Sequence, residues 1–153
     1  MYKRAPLYLL PFSLAIMAGN ARAECWHDAA KSYGLEPLEL GAIACVESRL
    51  NAGAISPAGA RGVMQVMPSN AHAVGMHPDL LWDACTNIYM GAYVLAQMKA
   101  RYGDTWEAVG AYNASCTKLK GAACRKARTD YAWLVYRCGP CGRRRPSTSC
   151  RTR

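Results

Sequence analysis

The chain has 153 residues, 52% of them hydrophobic and 19% charged, a balance that excludes a disordered or fibrous chain and predicts one globular domain. Nineteen Lys and Arg against ten Asp and Glu leave a net charge of +9, which favours anionic partners such as cell-wall polymer, phospholipid headgroups or nucleic acid. Eight cysteines argue against a reducing cytosol and for a compartment where disulfides persist.

At the N-terminus, Lys3 and Arg4 precede an apolar stretch from Leu7 to Ala18 that ends in Ala21-Arg22-Ala23. This predicts a secretory signal peptide over residues 1–23, cleaved after Ala23. The stretch is shorter than the roughly 20 apolar residues that span a bilayer, and Pro11 lies inside it. Residues 25–33 then predict a short helix stopped at Gly34. The next helix opens with Pro37 in its first turn, and Leu40, Ile43 and Ala44 mark its apolar face. Glu47, at i+7 from Leu40, falls on that same face. Residues 51–62, rich in Ala and Gly with Ser56 and Pro57, predict a loop, and a short helix follows Pro68.

The longest helix is expected from Ala84 to Tyr102, capped by Asp83 and ended by Gly103, with Ile88, Ala92, Leu95, Met98 and Tyr102 as its buried stripe. Asp104 and Glu107 are spaced as a capping box for a helix reaching Asn113. A last helix over 125–136 places Tyr131, Leu134 and Val135 on one side. The five methionines beyond residue 60 are expected to fill core.

Glu47 is out of place on its helix. A carboxylate on an apolar face loses hydration, and in the last turn it meets the negative end of the helix dipole; both effects raise its pKa. A carboxyl kept protonated near neutral pH is what general-acid cleavage of a glycosidic bond requires. From position alone, pairing of Glu47 with Arg49 or Arg61, or an outward turn at the helix end, competes with that reading.

The residues that follow weigh in its favour. Glu47-Ser48-Arg49 leads into Ser56-Pro57-Ala58-Gly59-Ala60-Arg61-Gly62-Val63-Met64-Gln65-Val66-Met67-Pro68, then Asn87-Ile88 with Gly91, and then Ala111-Tyr112-Asn113-Ala114. Over about residues 25–136 the chain resembles the soluble lytic transglycosylase (goose-lysozyme-like) family of peptidoglycan-cleaving enzymes. The resemblance implies a mainly α, lysozyme-like catalytic domain with disulfides over 24–136, and the charge and the Gly- and Pro-rich composition beyond it predict a basic, irregular, cysteine-containing tail over 137–153. It also implies Glu47 as the single acid/base, with Ser56, Gln65, Met67, Asn87, Tyr112, Asn113 and Tyr131 as substrate-binding residues. Asn87 has a second reading, holding the start of the long helix. The chain departs from the family pattern at Val63, where Leu is usual, and at Ser115, where Gly is usual.

Cys25-Trp26, Asp83-Ala84-Cys85-Thr86-Asn87-Ile88 and the run Tyr102 to Asn113 are similar to the small single-domain members associated with secretion, conjugation and pilus systems. That resemblance implies a Cys25–Cys85 pair and a partner apparatus for which the wall is opened locally, while the signal peptide predicts a periplasmic location. Neither a cofactor nor a metal is implied.

Hydrolytic glycosidases ordinarily use two carboxylates, and after Glu47 the next acidic residue is Asp79. Asp79, Asp83 and Asp130 remain open as partners in space. With one carboxyl, the expected reaction is intramolecular, giving a 1,6-anhydro sugar. A hydrolytic muramidase and a non-catalytic wall-binding assembly protein are the alternatives.

Eight cysteines leave connectivity largely open. A local Cys116–Cys124 bridge and links among Cys45, Cys138, Cys141 and Cys150 are expected. Cys138-Gly139-Pro140-Cys141 has the spelling of a thioredoxin motif without the βαβ unit around it, so structural disulfides are expected there, not redox chemistry or zinc. Residues 118–153 carry eleven basic residues and only Asp130. The tail is expected to be drawn to anionic wall or membrane surface, and nucleic acid is not expected as a partner of an exported protein.

Overall fold

A computed structural model describes residues 24–139. Residues 1–23, where a signal peptide is expected, and those from 140 onward lie outside the described residues. Among the described residues the fold has six α-helices and one 3-10 turn: α1 (24–33), α2 (Pro37–Ser48), α3 (Pro68–Ala73), the 3-10 turn Pro78–Trp82, α4 (Ala84–Tyr102), α5 (Trp106–Asn113) and α6 (Gly121–Cys138). Among the described residues the only β pairing is two isolated antiparallel bridges, Ile55 with Arg61 and Arg61 with Val66. No described helix is long and apolar enough to cross a membrane.

The helix boundaries follow local chemistry. Pro37 opens α2, where its missing N–H costs no hydrogen bond, and Leu40, Ala42, Ile43 and Ala44 are buried on its inner face. The chain leaves α2 through two consecutive left-handed residues, Arg49 (φ 55°) and Leu50 (φ 64°), whose N–H groups return to the carbonyls of Cys45 and Ala44. Asp83 caps α4 by accepting from the Thr86 N–H at 2.8 Å, a bond that lowers its pKa.

The core gathers Leu40 and Ile43 of α2, Leu95 of α4, Val109 of α5, Val135 of α6, Leu81, and Met64 and Val66 of the loop before α3. α5 packs between α4 and α6, and α6 reaches back to α2. Of the methionines, Met64 and Met90 are buried, Met76 and Met98 are partly covered, and Met67 is exposed. Gly91 is where α4 admits Met64: a Cβ there would lie 2.7 Å from three atoms of that side chain.

Two boundaries differ from expectation. Thr105, not Asp104, is the N-cap of α5, and no side chain caps it. Lys99 holds Asp104 at 2.6 Å while also holding Glu39 at 2.7 Å, and Glu107 pairs with Arg128 at 2.9 Å, so both halves of the capping box are engaged elsewhere. α6 begins at Gly121, not 125, because its first turn is tied covalently to the preceding loop by Cys116–Cys124. Cys25–Cys85 joins α1 to the start of α4. Cys45 on α2 is disulfide-bonded as well; Cys141 and Cys150 lie outside the described residues, as does the side chain of Cys138.

Candidate active site

Glu47 occupies the last turn of α2, and the left-handed exit at Arg49 and Leu50 turns the chain away before another helical turn covers it. Its carboxyl is partly buried, and that desolvation raises its pKa above 4.5. Two hydrogen bonds act in the opposite direction, from the side chains of Tyr131 and Asn113. Tyr131, on α6 and only 8% exposed, donates its hydroxyl to Glu47 Oε1 at 2.5 Å. Asn113 is the last residue of α5. Three helices therefore converge on one carboxyl.

The phenols near it are protonated donors. Burial and the neighbouring Glu47 charge push both the Tyr112 and Tyr131 hydroxyls well above their ordinary pKa. Tyr112 spends its proton on the loop, donating to the Met64 carbonyl at 2.8 Å.

That loop, residues 51–67, is held from several sides. Within it, Arg61 and Val66 exchange both backbone hydrogen bonds, Gly62 N–H reaches the Ala54 carbonyl, and Ser56 N–H reaches the Ala60 carbonyl. From outside, Ser48 Oγ donates to the Val63 carbonyl at 2.6 Å. Asn87 Oδ1 accepts from the Met64 N–H at 2.7 Å, while its Nδ2 donates to the carbonyls of Arg61 and Leu81 at 2.8 Å each. Gly62 has φ +75°, and a Cβ there would strike the Asn87 amide, so glycine is needed for both the turn and the brace.

The expected site residues thus separate into groups. Tyr131 and Asn113 contact Glu47 directly. Ser56, Gln65 and Met67 belong to the loop and make no hydrogen bond to it. Ser56 Oγ accepts from the Ala60 N–H at 3.0 Å. Gln65, itself at φ 50°, donates Nε2 to the Ala54 and Gly62 carbonyls, and its carbonyl oxygen accepts no hydrogen bond among the described residues. Asn87 is a correction: it is fully buried with its amide bonded on three sides, so it braces the loop and presents no surface to a saccharide. Arg61 pairs with Asp79 at 2.9 Å, not with Glu47. Asp83 caps α4 and Asp130 pairs with Lys126. No acidic side chain is among the groups that shift Glu47. Among the described residues no cluster of His, Cys, Asp or Glu is grouped to hold a metal.

Residues 24–133 match the Transglycosylase SLT domain. The chain belongs to this family. An X polypeptide of Escherichia coli is 41% identical over 139 residues, covering 85% of this chain and 81% of that one. The invasion protein IagB of Salmonella typhimurium is 37% identical over 126 residues, 77% of this chain and 78% of its own. Protein IpgF of Shigella flexneri is 33% identical over 124 residues, 76% and 79% of the two chains. Among solved structures, an inactive Glu→Gln mutant of the lytic transglycosylase Slt from Pseudomonas aeruginosa superposes with a TM-score of 0.59 at 26% identity. That match covers 78% of this chain but only 23% of the other, so the chain corresponds to about a quarter of that Slt. The lysozyme-like helical fold of the SLT family is therefore the fold of this protein, and by membership it is a peptidoglycan lytic transglycosylase.

Two residues that hold this SLT site escape a reading of motifs. Ser48 lies inside Glu47-Ser48-Arg49, yet a hydroxyl at a helix end reads as a local cap, not as a tie to a carbonyl fifteen residues on. Arg128 reads as one more charge of the basic C-terminal quarter, but it is only 7% exposed. It donates to Glu107, to the Tyr102 hydroxyl and to the Ala114 carbonyl, and so clasps the residue after Asn113 to the helix of Tyr131. Its spacing three residues before Tyr131, on the same helix face, is the signal that was present.

Tyr131→Phe tests the contact to Glu47. Removing a donor that lowers the carboxyl pKa is expected to raise it further, so the alkaline limb of the lytic rate moves to higher pH. The maximal rate falls about tenfold, the scale of a hydrogen bond to a charged group. A pH profile of fragment release from sacculi checks this; an unmoved limb contradicts the assignment.

Proposed function

We propose that Glu47 acts first as acid and then as base in a non-hydrolytic cleavage of the β-1,4 bond between N-acetylmuramic acid and N-acetylglucosamine. The observation that carries this reading is a carboxyl with raised pKa, bonded by Tyr131 and Asn113 and shifted by no second carboxylate among the described residues. Tyr131 donates to Oε1, and the carboxyl, its pKa raised by burial, carries the acidic proton. That proton passes to the glycosidic oxygen as its bond to C1 breaks. The C6 hydroxyl of the same muramic acid then closes on C1 and returns its proton to Glu47. No water enters, and the product is a 1,6-anhydro sugar. In the Slt of P. aeruginosa the inactive form is likewise a Glu→Gln mutant, which supports one carboxyl carrying the reaction.

The loop wall contributes Ser56, Gln65 and Met67 to sugar binding in this reading, with Tyr112 behind them. The protein is exported by residues 1–23 and works in the periplasm, where it opens the wall for an envelope-spanning apparatus. The similarity to IagB, named an invasion protein, supports such a partner, and the basic tail from residue 137 adds attraction to anionic wall or membrane surface.

Mass spectrometry of the soluble products from purified sacculi tests the chemistry. Muropeptides lighter by one water than the hydrolytic products are expected. Reducing-end muropeptides overturn the reading in favour of a muramidase, and binding without release at any pH overturns it in favour of a wall-binding protein.

A further inference from the structure

α6 also lines a second concave surface, whose lining includes neither Glu47 nor the Tyr131 and Asn113 side chains bonded to it. Tyr131 and Val135 point into the core, whereas Arg125, Thr129, Trp133 and Tyr136 line a cavity of about 400 Å³ together with Trp106 of α5 and the buried Arg128. Trp106, Trp133 and Tyr136 are each more than half exposed. They are nonetheless ordered against one another: Tyr136 meets Trp106 edge-on at 5.7 Å and Trp133 edge-on at 5.5 Å. Three large rings left open to water on one surface mark a binding site more often than idle surface.

We propose that this α5–α6 groove is a second binding site for peptidoglycan glycan strands, distinct from the cleavage site. The proposal rests on the peptidoglycan reading of the substrate, not on the anhydro chemistry. Ring faces accept the C–H faces of pyranoses. The Tyr136 and Thr129 hydroxyls and the Arg125 guanidinium stand at the groove to bond hydroxyl, N-acetyl and carboxylate oxygens. Glu107 also lines the groove but is paired with Arg128 at 2.9 Å, whereas Arg125 makes no ion pair among the described residues. The groove therefore offers an uncompensated positive charge beside an apolar platform, which complements an anionic polymer whose repeating units carry both apolar ring faces and carboxylates. The chain's own C-terminal residues beyond Gly139 are strongly basic and share the sign of Arg125, so they are the poorer occupant. A strand held here keeps the enzyme on the wall between cuts.

The test uses the full chain carrying Glu47→Gln, so that added strands stay intact. Of its four tryptophans, the indole N–H signals of Trp106 and Trp133 are expected to shift saturably when soluble, peptide-free glycan strands are added. In the same background, Trp133→Ala is expected to weaken co-sedimentation with sacculi about fivefold, the scale of one lost ring contact, and Trp133→Phe to restore most of it. Indole signals that stay still, or retention indifferent to Trp133→Ala, overturn the proposal. A response to stem peptide without one to peptide-free strands overturns the glycan assignment, as does a response confined to a protein partner. Product masses from the unaltered enzyme report separately on the cleavage chemistry: reducing-end products beside shifting indoles defeat that chemistry alone.

Discussion

Glu47→Gln is expected to lower the release of soluble fragments from sacculi by a factor on the order of 10² to 10⁴, the range attributed to general acid–base catalysis by one side chain. Gln keeps the shape of the carboxyl and an oxygen for the Tyr131 hydroxyl, so the groove is preserved and only the transferable proton is lost. Fragment release by equal amounts of the two proteins, at several pH values, measures it. The same variant reports on the electrostatics of the site through its stability. Burial raises the folded-state pKa of Glu47 above 4.5, so as pH rises from acid the unfolded chain ionises first and is favoured. The wild type therefore loses stability between pH 4.5 and the raised pKa, and Gln does not titrate. The Tm of Glu47→Gln relative to wild type is expected to be flat below pH 4.5, to climb above it, and to level once the folded carboxyl is ionised. A difference that falls with pH contradicts a raised pKa. So catalysis and stability make opposing demands on one residue.

Asn87→Leu is expected to destabilise the protein by roughly 3–5 kcal/mol. It removes the side-chain partner of the Met64 N–H and of the Leu81 carbonyl, and one of the two partners of the Arg61 carbonyl, which keeps the Val66 N–H; a buried polar group left unpaired costs about 1–3 kcal/mol. For a domain of this size the loss corresponds to at least about 10 °C in Tm. Thermal melts without any glycan present decide the matter, because a residue whose role is to touch sugar has no reason to alter them. A Tm within a few degrees of wild type returns Asn87 to the substrate-binding group. Activity at low temperature is expected to fall as well, since Asn87 fixes the Met64 backbone and with it the adjoining Gln65 of the loop.

The helices were legible because their signals are local. Leu40, Ile43 and Ala44 repeat at helical spacing, Asp83 caps and Gly103 stops α4, and each of these works within one or two turns of chain. Glu47 was legible for a related reason: a carboxyl at i+7 on an apolar face is a local contradiction. What surrounds Glu47 was not local. Tyr131 reaches it across 84 residues, and only the family motif, not the periodicity of α6, picked that tyrosine out. Competition explains the errors. Asp104 and Glu107 have the spacing of a capping box, yet Lys99 and Arg128 offer them ion pairs from other helices. Asn87 stands in a motif shared by sugar-binding enzymes, and nothing in its neighbours tells whether its amide faces a ligand or three backbone groups. The start of α6 goes with the Cys116–Cys124 bridge, which was expected from the sequence, although the periodicity of α6 does not show that the bridge reaches into its first turn.

Cross-links are spread over the helices that build the site. α4 is bonded to α1 through Cys85, α6 to its leading loop through Cys124, and α2 carries the disulfide-bonded Cys45 two residues before Glu47. Closing a chain segment of 60 residues, as Cys25–Cys85 does, is worth about 4 kcal/mol, a large share of the 5–15 kcal/mol by which a domain usually stays folded. A copy whose cysteines are still reduced therefore carries Glu47, Asn113 and Tyr131 on a fold short of that stabilisation, which links thiol oxidation to the durability of the cleavage site.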